Sequence, residues 1–89
     1  MPGGRPKLGD DVVRMRSELG ERLRQARVNA NLTIDDIAEI LGVDARRVSE
    51  WERGERGIYL ESFVVFAKLC GVTAAHILGE QRLILTSAA

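Results

Sequence analysis

Between Thr33 and Gly54 the chain carries helix-start and helix-stop signals so closely spaced that only two short helices and one tight corner fit between them. Thr33-Ile34-Asp35-Asp36 has the form of a capping box, in which a hydroxyl and an acid satisfy N–H groups that a first helical turn leaves unpaired. Ile37, Ala38 and Leu41 then recur at helical spacing. Gly42 stops the run, because glycine takes the left-handed backbone conformation without steric cost. Asp44 is placed to cap a further helix over Ala45 to Arg53, and Gly54 closes it. In that helix Val48 and Trp51 face inward, while Arg46, Arg47, Ser49 and Glu50 face outward.

The flanking sequence supplies three more helices and no strand pattern in the folded part. Asp10 or Asp11 can cap a first helix whose stripe is Val12, Met15, Leu19, Leu23 and Ala26. Gly20 weakens its middle by roughly 1 kcal/mol relative to alanine, so the ordered part is expected to begin near Leu19 behind a looser leading turn. After a charged loop from Arg53 to Gly57, a stripe of Leu60, Phe63, Phe66, Ala67 and Cys70 runs to Gly71, and Thr73 caps a short last helix through Leu78. The expected fold is all-α, with five helices in one compact domain over residues 10–79 and a helix-turn-helix at residues 33–53.

Two terminal segments fall outside that domain. Residues 1–9 hold two Pro, three Gly, Arg5 and Lys7, a composition that reads as a flexible arm; such an arm lies along a DNA groove or is merely solvated. Residues 80–89 include Arg82-Leu83-Ile84-Leu85-Thr86, a β-prone run with no amphipathic period to bury it. That tail is expected to make a dimer contact, most simply as a strand pairing with its two-fold mate, the alternative being that it folds back on its own domain.

Charge and chemistry narrow the function classes. Thirteen basic and thirteen acidic side chains cancel, which is unusual for a nucleic-acid binder, yet residues 1–30 carry seven basic groups against four acidic ones. A basic face on a neutral molecule is therefore allowed. Cys70, the one cysteine, lies on an apolar stripe and reads as an inert core thiol. His76 has no Ser, Cys or paired acid beside it and reads as a capped or core histidine, so catalysis is not expected. No phosphate-cradling glycine loop or metal-ligand spacing occurs, and no cofactor, metal or small-molecule ligand is implied. The N-terminus has no apolar signal segment and no run approaches membrane-spanning length, so the expected location is the cytoplasm.

The strings Leu23-Arg24-Gln25-Ala26-Arg27, Leu32 through Val43 and Val48-Ser49-Glu50-Trp51-Glu52-Arg53-Gly54 carry a more specific signal. Ile37-Ala38, Leu41-Gly42-Val43 and Trp51-Glu52-Arg53-Gly54 at these spacings resemble the lambda-repressor-like, or Cro/C1-type, helix-turn-helix family, also called the XRE family, over roughly Leu19 to Gly79. The resemblance implies that the outer face of the helix from Ala45 enters the DNA major groove, with Ala45, Arg46, Ser49 and Glu50 at the base-reading positions. An Arg at position 46 suits guanine O6 and N7, Glu50 suits cytosine N4, and Ala45 a thymine methyl. Arg46 and Glu50 stand four apart, so the competing reading is that they pair with each other. Phosphate contacts are implied for Thr33, Arg47, Arg53 and Arg56, and a structural pair for Arg27 and Glu52, worth under about 1 kcal/mol if exposed.

The sequence departs from the family pattern at Ile34, where a phosphate-touching Gln is usual, and at Asp44 and Glu50, which bring negative charge to the implied DNA face. The resulting expectation is a homodimeric DNA-binding transcriptional regulator, a repressor at a palindromic operator. Its alternative is a protein-interaction module of the same fold that has given up DNA.

Overall fold

A computed structural model describes residues 8–79, so Arg5, Lys7 and the tail over residues 80–89 lie outside the described residues. The described residues are all-α, in the order α1 (Leu8–Asn29), α2 (Ile34–Leu41), α3 (Ala45–Glu52), α4 (Leu60–Leu69) and α5 (Ala74–Leu78). Three of the expected caps form as local hydrogen bonds: Thr33 on α2, Asp44 on α3 and Thr73 on α5 each accept from a backbone N–H three residues on. Gly42, at φ 71°, ends α2 by turning its N–H back onto the carbonyls of Ala38 and Glu39.

The core is assembled from one apolar stripe per helix. Leu23 and Ala26 of α1 meet Ile37 and Ala38 of α2, Val48 and Trp51 of α3, and Phe63, Phe66 and Ala67 of α4. Ile77 of α5 closes one end and Cys70 completes the α4 side. Both α1 and α2 pack on α3, which leaves only the outer face of α3 free.

Three expectations about α1 need correction, the first being that its ordered part begins near Leu19: α1 runs unbroken through Gly20 from Leu8 to Asn29. The helix starts at Leu8, before Asp10 and Asp11, which therefore sit in its first turn and do not cap it. Asp11 is bonded to Arg14 one turn on, at 2.6 Å, and acids favour the positive end of a helix wherever they fall in that turn. The leading half of the stripe is also not core: Val12 is exposed and Met15 is 64% exposed, because no described element lies over that end of α1. Likewise Leu60, expected inside, is exposed at the first position of α4, and the buried stripe begins at Phe63.

Gly20 is a contact as well as a gap in helix propensity. A Cβ there would stand 2.5 Å from the Trp51 carbonyl oxygen and 2.6 Å from that of Glu52, so α1 crosses the end of α3 with no room for a side chain. Overpacking against backbone outweighs the better helix propensity of alanine, and Gly20→Ala is expected to lose about 2 kcal/mol. A thermal melt should show this as a fall in Tm of roughly 10 °C. An unchanged Tm would mean that α1 can move off α3 freely.

Candidate nucleic-acid interface

The two caps that define the corner also settle where their charges point. Thr33 Oγ1 accepts from the Asp36 N–H at 3.0 Å, and Asp36 Oδ2 accepts from the Thr33 N–H at 2.9 Å. Asp44 Oδ1 accepts from the Arg47 N–H at 3.2 Å, so this carboxylate faces backbone N–H groups at the start of α3. One of the two negative charges on that face is thus spent on helix capping.

Glu50 holds the other. Its side chain is only 19% exposed, its Oε1 accepts from Arg56 Nε at 2.9 Å, and its Oε2 lies 3.5 Å from Arg46 Nε. The carboxylate therefore bridges an arginine of α3 to one of the following loop, and the 84% exposed Arg46 side chain still projects from the surface. Arg53 pairs with Glu55 at 3.0 Å, a contact that raises the guanidinium pKa and lowers that of the carboxyl, both through the hydrogen bond first. Arg47 is exposed and, among the described residues, has no acid in ion-pair range.

Behind this face Arg27 clamps α1 to α3. Its Nε and Nη2 donate to Glu52 Oε2 and Oε1 at 2.7 and 3.0 Å, and its Nη1 donates to the Leu32 carbonyl at 3.0 Å. The fork is bidentate and nearly dry, with side chains 12% and 5% exposed. That corrects the small value expected of an exposed pair, because removing one member of a buried pair strands the other. The hydrogen bond to Glu52 raises the Arg27 pKa against the opposing effect of burial.

Two short capped helices packed at a corner, the second with its outer face free, are the geometry against which known proteins can be compared. A family model described as "Helix-turn-helix domain" matches residues 18–77. The chain belongs to the helix-turn-helix domain family. Over 67 residues, which are 75% of this chain, it is 36% identical to the HTH-type transcriptional activator BcrR of Enterococcus faecalis. The chain spans about a third of that protein's length, 33%.

Within this helix-turn-helix domain the four base-reading candidates share one face of α3: Arg46 exposed, and Ala45, Ser49 and Glu50 half-buried. Thr33, Arg47, Arg53 and Arg56 are all exposed. Arg47 and Arg56 come together in a pocket of about 220 Å³, with Trp51, Tyr59 and Ser62. Tyr59 and Ser62 were not among the sequence candidates. Tyr59 occupies the N-cap position of α4 but makes no side-chain cap hydrogen bond, so the first N–H groups of that helix have no side-chain cap. The signal lay in the missing Ser, Thr, Asp or Asn at that helix start.

His76 is exposed in α5, which corrects the core alternative of its expected place, and its backbone N–H is capped by Thr73 Oγ1 at 3.0 Å. Cys70 is buried as expected, and burial raises its thiol pKa, with Arg27 partly opposing. Among the described residues no three His, Cys, Asp or Glu side chains gather as metal ligands, and no helix is long and apolar enough to cross a membrane.

Proposed function

We propose that this helix-turn-helix domain is a sequence-specific DNA-binding transcription regulator of the lambda-repressor-like, Cro/C1-type (XRE) subtype. The observation that carries the reading is the free outer face of α3, from which Arg46 projects while the inner face is locked by Val48 and Trp51. A helix so held enters the major groove as a rigid unit, and Arg46 donates two hydrogen bonds to a guanine edge. Ala45 and Ser49 contact bases at the edges of the same face. Glu50 orients Arg46 and offers its remaining lone pairs to cytosine N4.

Phosphates are held by Thr33 with the α2 N-terminus, by Arg47, and by Arg53 and Arg56, each of which exchanges an acid for a phosphate on binding. Tyr59, Ser62 and the uncapped α4 N-terminus extend that backbone contact. Arg5 and Lys7 add arm contacts. The domain acts as a homodimer on a palindromic operator with half-sites about 34 Å apart, and it represses by occluding polymerase. The similar BcrR is named an activator. An operator-bound domain serves either sign, since the outcome depends on where the operator lies relative to the promoter.

The pairing of Glu50 with both Arg46 and Arg56 supports a second reading, a protein-interaction module whose α3 face neutralises its own charges. Salt dependence separates the two. With Arg47, Arg53 and Arg56 of both copies on phosphate, log K for a mixed-sequence duplex should fall against log salt with a slope of about −5. Fluorescence anisotropy titrations across a salt series measure this, and absent or salt-insensitive binding would reject the regulator in favour of the interaction module.

A further inference from the structure

The unburied front of α1 is one wall of an open groove of about 510 Å³. Val12, Met15 and Leu19 line it from α1, Ile58 from the loop before α4, and Leu78 from the end of α5. Val12, Met15 and Leu78 are all exposed, so the groove is an apolar surface left facing water. Its charged rim is Arg16, Glu18 and Arg22, and among the described residues neither Arg16 nor Glu18 has an ion-pair partner.

The described chain leaves α5 at this groove. Arg22 Nη1 donates to the Leu78 carbonyl at 2.7 Å, and Gly79 passes so close that a Cβ there would stand 2.5 Å from the same guanidinium. The chain continues as Glu80-Gln81-Arg82-Leu83-Ile84-Leu85, a sequence that puts an acid immediately after Gly79 and a base two residues further on.

We propose that the groove is the seat of this chain's own C-terminal segment, residues 80–85, which runs back along α1 toward its N-terminus. Three arguments support that occupant. The reach fits: from Arg22 to Val12 along a helix is about 15 Å, and six extended residues span about 20 Å. The pattern fits: in an extended segment Leu83 and Leu85 share a side and cover Met15 and Val12. The tether decides between this copy and another, because a segment joined directly at the groove's rim has an effective concentration in the mM range, far above that of a second molecule at micromolar protein. The fold-back alternative for the tail is thereby preferred to a strand shared between copies, and nothing in it depends on the DNA reading.

Methyl NMR on the full chain tests this, since Met1 and Met15 are its two methionines and the Met15 methyl is a clean reporter. With Met, Ile and Leu methyls labelled, cross-peaks are expected from Met15 to Leu83 and Leu85. They should persist on dilution and be absent between labelled and unlabelled molecules in a mixed sample. The double substitution Leu83→Asp/Leu85→Asp should abolish them and shift the Met15 resonance. Cross-peaks that bridge molecules in the mixed sample would overturn the proposal and make the groove a dimer seat. A Met15 resonance with no tail cross-peaks and no response to the double substitution would overturn it outright.

Discussion

Glu52→Ala is expected to remove about 3–5 kcal/mol of folding stability, the usual loss when one member of a buried ion pair is deleted. The Arg27 guanidinium would keep one partner, the Leu32 carbonyl, and lose both of its charge-assisted bonds while remaining almost wholly out of water. A domain with 72 described residues has roughly 4–11 kcal/mol of stability in all at the usual value per residue, so the variant approaches the unfolding threshold. Urea unfolding followed by circular dichroism measures the loss. Arg27→Leu/Glu52→Leu provides the control: apolar replacement of a buried pair is often close to neutral, so the double variant should recover most of what the single one loses. A loss under about 1 kcal/mol for Glu52→Ala would mean that water reaches the pair and that it behaves as a surface contact.

Arg46→Ala is expected to have the opposite profile, with little effect on stability and a large one on DNA. Its side chain is 84% exposed and its contact with Glu50 is long, at 3.5 Å, so folding should change by less than about 0.5 kcal/mol. Loss of a bidentate guanine contact is worth about 1–3 kcal/mol, a fall in affinity of roughly 5- to 150-fold for each half-site. Arg46→Lys keeps the charge but not the fork, and should retain general DNA affinity while losing guanine discrimination. Anisotropy titrations against one fixed duplex, with unfolding curves for both variants, measure each part. Equal losses in folding and in binding would place Arg46 with Arg27 as a scaffold residue.

The parts of the fold that the sequence made legible are those in which a residue acts on its immediate neighbours. Thr33, Asp44 and Thr73 cap by bonding N–H groups three residues away, and Gly42 turns its own backbone, so a short window holds the whole cause. Stripe positions such as Leu23, Ile37, Val48 and Phe66 were equally plain, because helical spacing identifies a face. Spacing does not say what covers that face. Val12, Met15 and Leu60 continue their stripes beyond the neighbouring helices, and no local pattern marks where cover ends. Gly20 reads as a weakness because its reason, the Trp51 and Glu52 carbonyls, lies more than a helix length away in sequence.

At the candidate interface the residue types on α3 were legible from helical period and family resemblance together. The partners that fold over them from other elements were not. The four-residue rule pairs Glu50 with Arg46, but its shorter contact is with Arg56 from the loop, which no helical spacing connects. The Arg27–Glu52 fork joins α1 to α3 across twenty-five residues of sequence, and its dryness is a property of that packing which neither residue's neighbours in sequence announce.

Selection from a randomised duplex pool followed by sequencing tests the central claim, that the outer face of α3 reads base edges, with the natural chain and Arg46→Ala run side by side at moderate salt. The account predicts an enriched palindrome for the natural chain, containing a guanine in each half-site whose preference relaxes in Arg46→Ala while the other positions hold. A natural chain that enriches no sequence, or an Arg46→Ala profile identical to it at every position, would contradict the account.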